Sequence, residues 1–140
     1  MRRRVLVLVS LAALAWAAGG CGGPIEHDEL ERAVSTLGAT AAEGRIVALD
    51  VVEDRTKTTF VRVHGKALQT DVEHLAEKLQ DAEAKPDLVA RKRAAVRLAK
   101  DIDAALGDLI VAPSDRRVAR DVERRLDTLA HRAENLAEAL

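Results

Sequence analysis

"RIVALDVVEDRTKTTFVRVHG", Arg45 to Gly65, decides the fold of this chain. Its two arms, residues 45–52 and 58–64, are rich in β-branched residues, and Gly44 and Gly65 bracket them. Read alone, they make a β-hairpin around the polar break "EDRTK", Glu53 to Lys57. Read with their flanks, they belong to two helices. Upstream, small and apolar residues recur at Leu30, Val34, Leu37, Ala41, Gly44, Ala48 and Val51, in alternating steps of four and three. Downstream they recur at Thr58, Val61, Gly65, Leu68, Val72, Leu75, Leu79 and Ala82. Reversing the chain between Asp54 and Arg55 sets Leu30 opposite Leu79, Val34 opposite Leu75, Leu37 opposite Val72 and Ala41 opposite Leu68. Gly44 then faces Gly65, and Ala48 faces Val61. An isolated two-stranded hairpin is marginally stable, and the helical register runs straight through the disputed stretch. The helical reading is therefore favoured, with two glycines meeting at one layer.

The second half repeats the pattern. Pro86 and Asp87 mark a helix start. Ala95, Ala99, Ile102, Leu106 and Leu109 form a third seam, which Pro113 ends. Ser114 is placed to cap a fourth helix, with Val118, Val122, Leu126, Leu129, Ala133, Leu136 and Leu140 along its seam. A turn at Ser114 pairs Leu106 with Val122, Ile102 with Leu126, Ala99 with Leu129 and Ala95 with Ala133. Each seam is narrow, so the two hairpins must pack together. The fold expected is all-α, an up-down-up-down four-helix bundle over residues 25–140. Its helices fall near 25–53, 57–84, 87–112 and 115–139.

Composition fits this reading and excludes several functions. With Trp16 and Phe60 as its aromatics and no tyrosine, the chain builds its core from Leu, Val, Ile and Ala. Aromatic scarcity also argues against stacking on single-stranded nucleic acid. Apart from Arg2, Arg3 and Arg4, 19 basic residues face 23 acidic ones. A balance near −4 is no footprint for DNA, so no nucleic-acid partner is expected.

The N-terminus reads as an address. Arg2, Arg3 and Arg4 precede a 14-residue apolar run, Val5 to Ala18. That run falls short of the ~20 residues a spanning helix needs and suits a cleaved signal. Ala18-Gly19-Gly20 then lead to Cys21, the one cysteine in the chain. Residues 1–23 resemble bacterial lipoprotein precursors, whose lipobox sets an aliphatic or small residue and two small residues before a cysteine. Ala18 stands where the family usually has Leu. The resemblance implies cleavage after Gly20, a signal peptide over 1–20 and a lipidated Cys21, with residues 21–24 as a short tether. The covalent lipid on Cys21 would hold the bundle on a bacterial membrane, facing periplasm or exterior. Gly22 is not the Asp that commonly retains such proteins at the inner membrane, so in a Gram-negative cell the outer membrane is favoured. Pro24 suits the first turn of the first helix.

Chemistry-bearing motifs are few. His27, His64, His74 and His131 offer only Asp71-Val72-Glu73-His74 as an approach to the Glu-x-x-His motif of di-metal bundles. Ser35 and Ser114 sit in no nucleophile elbow, and no glycine-rich phosphate loop occurs. Neither cofactor nor bound metal is expected, and the chain reads as non-enzymatic. Two basic clusters, Arg91-Lys92-Arg93 and Arg116-Arg117, have interspersed Asp101, Asp121 and Asp127, so solvent-facing ion pairing is the default, with contact to anionic lipid or polymer as the minor alternative. Near the first turn, Ile46, Leu49, Phe60 and Val63 lie largely off the seam. They either cover one another and Leu109, Ile110 and Val111 as a wider core, or form a patch that docks an envelope protein. The role expected is thus a membrane-anchored binding or structural lipoprotein. A ligand- or metal-sensing bundle is the alternative, disfavoured by the Ala- and Gly-rich seams, and an enzyme ranks third.

Overall fold

Both arms of the deciding stretch are helical in the computed structural model, which describes residues 23–140. Four helices follow in order: α1 (His27–Val52), α2 (Thr58–Asp81), α3 (Val89–Val111) and α4 (Arg116–Glu138). Residues 45–52 close α1 and residues 58–64 open α2, so the β-hairpin alternative is overturned. The seam residues win because they are the core: Val34, Leu37, Ala41, Ala48, Val61, Leu106 and Leu126 have no more than 0% exposure. Burying such a side chain is worth roughly 1.5–3 kcal/mol, which two exposed strands could not supply. No polar or charged residue is buried as a whole among the described residues.

Neighbouring helices run antiparallel, and ion pairs record it. Glu29 meets Lys78 at 2.9 Å and Glu43 meets His64 at 2.8 Å between α1 and α2. The two pairs lie two heptads apart on each helix, in opposite directions. Between α3 and α4, Asp101–Arg132 at 3.1 Å and Asp108–Arg125 at 2.6 Å are one heptad apart in the same sense. Between α1 and α4, Arg45 reaches Glu123 at 3.5 Å and Asp127 at 3.6 Å.

The glycine layer differs from expectation. Gly44 and Gly65 do not meet. A Cβ on Gly44 would stand 2.8 Å from Leu106 and 3.0 Å from Leu126, and one on Gly65 would stand 3.1 Å from Ile110. Gly38, outside the expected seam, lies against Ala133, with 3.0 Å to a Cβ built there. The most extensive packing is α1 on α4 and α2 on α3, while α1 and α2 share much less. Seam pairing within a hairpin cannot reveal this, because each seam faces the centre of the bundle and also meets helices of the other hairpin.

Helix ends depart from the simplest reading at three points. First, α1 closes with a Schellman arrangement. The Asp54 N–H donates to the Val51 carbonyl at 3.2 Å and the Arg55 N–H to the Asp50 carbonyl at 2.8 Å. Asp54 takes the left-handed position usually given to Gly, with φ 60°. Second, Asp115 caps α4 rather than Ser114. Its Oδ1 accepts from the Arg117 N–H at 2.8 Å and the Val118 N–H at 3.2 Å. Third, Pro24 stands outside α1. Ile25, buried, pairs in parallel with Ala84, and its N–H donates to the Glu83 carbonyl at 2.7 Å. That bridge holds residues 25 and 84 extended and shortens both helices against the spans expected. Lys85 locks it with a 2.6 Å bond to Glu26. The bond to the Glu26 carboxylate, then its charge, raises the Lys85 pKa above the ordinary 10.5. Lys92 completes this end by donating to the Ala82 carbonyl at 2.6 Å and the Gln80 carbonyl at 3.3 Å, groups that α2 leaves unpaired.

Candidate functional site

The chain enters the bundle beside the α2–α3 connection, so the opposite, far end carries the turns at 53–57 and 112–115. Arg116 and Asp54, 3.0 Å apart, tie those two turns together. Four large apolar side chains stand exposed in this region: Ile46 at 54%, Phe60 at 50%, Val63 at 69% and Val111 at 82%.

Three of them share the α1–α2 face. Glu43 and His64 fix the level at which α1 and α2 cross-link. Ile46 is three residues beyond Glu43, and Phe60 is four residues before His64, so both lie one turn nearer the far end. Phe60 and His64 stack, ring centroids 5.2 Å apart and planes at 19°. His64 is thus a partly exposed helix-surface residue that joins Phe60 to α1 through Glu43. Val63, beside it, points outward. The result is a surface of Ile46, Phe60 and Val63 with one stacked imidazole and one carboxylate at its edge.

Leu49 stands apart from this group. It is half-buried and lies four residues beyond Arg45, on the side of α1 that carries the ion pairs to α4. The wider-core alternative holds for only part of the far end. Leu109 is buried, and Ile110 covers Gly65, but Ile46, Phe60, Val63 and Val111 remain open. Val111 lines a separate furrow of about 480 Å³ between α3 and α4, with Ala112, Val118 and Val122.

Other candidates fall in other places. Cys21, the expected lipidation site, lies outside the described residues. His131 bonds Glu134 at 3.0 Å on one turn of α4, and His74 is exposed on α2. Among the described residues no group of three or more His, Cys, Asp or Glu is placed to hold a metal. No described helix is long and apolar enough to cross a membrane. One polar feature escaped the sequence reading. Asp103, on α3, buries Oδ1 with no hydrogen-bond partner among the described residues. An Asp flanked by Ile102 and Ala104 on a charged helix reads as surface, and only tertiary packing covers its oxygen.

Comparison with protein-family models, with curated proteins and with solved structures gives no match. The fold class, an all-α four-helix bundle, is therefore what places this chain among proteins.

Proposed function

We propose that this protein is a lipid-anchored helical bundle of the bacterial cell envelope that binds a protein partner through Ile46, Phe60 and Val63. The observation that carries the reading is their exposure in a bundle whose other large apolar side chains are mostly covered. Open apolar side chains grouped on one face commonly mark an interaction site, and an aromatic with aliphatic neighbours suits the centre of one. Chain direction supports it too. Cys21 precedes the end of the bundle opposite this face, and a helix of about 25 residues rises roughly 40 Å. An anchor at Cys21 would leave the face presented outward. Acyl chains, at about 0.8 kcal/mol per buried methylene, would hold the bundle in place.

Two measurements test this. Mass spectrometry of the N-terminal peptide of protein extracted from membranes reads the anchor. A diacylglyceryl-modified Cys21 at the new N-terminus is expected, and an unmodified Cys21 peptide overturns it. Crosslinking in intact membranes, with Phe60→Glu and Val63→Glu together, reads the face. Because both side chains are already half or more exposed, thermal melting should stay within ~0.5 kcal/mol of the parent. The crosslinked partner should be lost. A melting loss of several kcal/mol, or an unchanged crosslink, overturns the docking role.

A further inference from the structure

The first half of α3 carries basic residues and no acidic one. Between Val89 and Lys100 lie Arg91, Lys92, Arg93, Arg97 and Lys100, with no acidic residue. Arg91 and Lys92, in the first turn, face the positive end of the macrodipole with no acid in that turn to offset it; Arg97 and Lys100 lie beyond its reach. Lys92 is accounted for by the carbonyls of Gln80 and Ala82. The other four pair with no carboxylate among the described residues, whereas basic residues further along, Arg125 and Arg132, do. Arg93, Arg97 and Lys100 are exposed and spaced by four and three, so they form one outward stripe.

Two further observations say what the stripe meets. Charge is segregated between the hairpins: residues 25–84 hold thirteen acidic and seven basic groups, a balance of −6, while residues 85–140 hold ten and twelve, a balance of +2. A negatively charged plane repels the α1–α2 side and attracts the α3–α4 side. The Ile25–Ala84 bridge then brings the start of the chain to the end of the bundle where α3 begins. Cys21 is four residues before Ile25, at most about 14 Å of extended chain. Arg93 to Lys100 rises only ~10 Å along α3. We infer that Arg93, Arg97 and Lys100 form a contact surface for anionic phospholipid, against which the anchored bundle leans with α3 toward the membrane. The inference rests on the lipid anchor proposed above. Each basic residue held at such a surface raises the membrane-facing population about fivefold, so three turn a free swivel into a preferred orientation.

The test uses the full chain extracted from membranes and reconstituted into vesicles. One set is neutral phosphatidylcholine, and the other adds about 30 mol% phosphatidylglycerol, enough to give the surface a negative potential. A fluorophore is placed at exposed Ala104→Cys on α3 or exposed Ala39→Cys on α1, and energy transfer to headgroup-labelled lipid is measured. In anionic vesicles, transfer from position 104 should exceed that from position 39. The difference should vanish in neutral vesicles, at ~1 M salt, where screening shortens to about 3 Å, and in Arg93→Gln/Arg97→Gln/Lys100→Gln. Equal transfer from both positions in anionic vesicles overturns the inference, as does a difference that survives the triple substitution. Flotation keeps the anchor separate. Protein that floats with neutral vesicles is anchored. If it does not float, the anchor reading fails, and the stripe is read by flotation with anionic vesicles: binding lost in the triple variant supports it, and no binding overturns it.

Discussion

At the scale of single residues, glycines show how little of the packing is local. Gly107 and Gly44 both sit inside helices, where Gly costs about 1 kcal/mol relative to Ala. A Cβ on Gly107 would meet only the Gln69 side-chain nitrogen, at 3.4 Å, an ordinary contact. Gly107→Ala should therefore stabilise the protein by about 0.5–1 kcal/mol in denaturant unfolding. Gly44 faces Leu106 and Leu126, both fully buried and with nowhere to retreat. Overpacking there costs ~1–3 kcal/mol, so Gly44→Ala should be net destabilising despite its better helix propensity. A Gly44→Ala variant more stable than the parent would show that the two leucines can repack. The sequence marked Gly44 as a close-approach position correctly but named the wrong neighbour. A heptad seam identifies which residue points inward. It does not say which of three opposing helices that residue touches. Phe60 illustrates the same limit from the other side. Its off-seam position was readable, but its exposure was not, since that depended on whether Leu109 and Ile110 reached it.

At the scale of helices, ends were harder to read than spans. The spans follow from apolar periodicity, and periodicity survives any single substitution. An end depends on one or two hydrogen bonds. Ser114 and Asp115 are both good capping residues, adjacent, and before the same helix. Asp115 takes the role because α4 begins at Arg116, which places the Arg117 and Val118 N–H groups within reach of its carboxylate. Its negative charge also suits the helix N-terminus. Asp115→Ala should cost about 1 kcal/mol, whereas Ser114→Ala, an exposed change in the turn, should stay within ~0.5 kcal/mol. Urea unfolding of the two variants side by side checks the assignment, and a larger loss at Ser114 would reverse it. The end of α1 shows in the sequence as a polar break but not by its mechanism, because Asp54 occupies a left-handed position that sequence rules reserve mainly for Gly. The start of α1 departs from the sequence expectation for a tertiary reason. Pro24 would serve in a first turn, but the Ile25–Ala84 bridge and the Glu26–Lys85 bond draw that segment into extended pairing.

At the scale of the molecule, the two hairpins are units of sequence but not units of stability. In sequence, α1 is joined to α2 and α3 to α4 by short connections. In packing, α1 lies chiefly on α4 and α2 chiefly on α3. The tightest glycine contacts all cross between the hairpins: Gly38 on Ala133, Gly44 on Leu106 and Leu126, and Gly65 on Ile110. Between α1 and α2 the recorded links are exposed ion pairs, worth about 0–1 kcal/mol each, around a shallow furrow of about 330 Å³ that includes Ile25, Ala33, Leu75 and Leu79. A fragment spanning residues 22–84 would therefore expose most of the surface that α1 and α2 bury, and helices in proteins draw most of their stability from such packing rather than from propensity. Each half, 22–84 and 85–140, should show weak, non-cooperative helicity alone by circular dichroism. Mixed in equal amounts, they should regain cooperative melting, because the α1–α4 and α2–α3 faces are complete in the mixture. A cooperative transition in the 22–84 fragment alone would mean that the α1–α2 seam read from the sequence, rather than the cross-hairpin packing, carries the stability of this bundle.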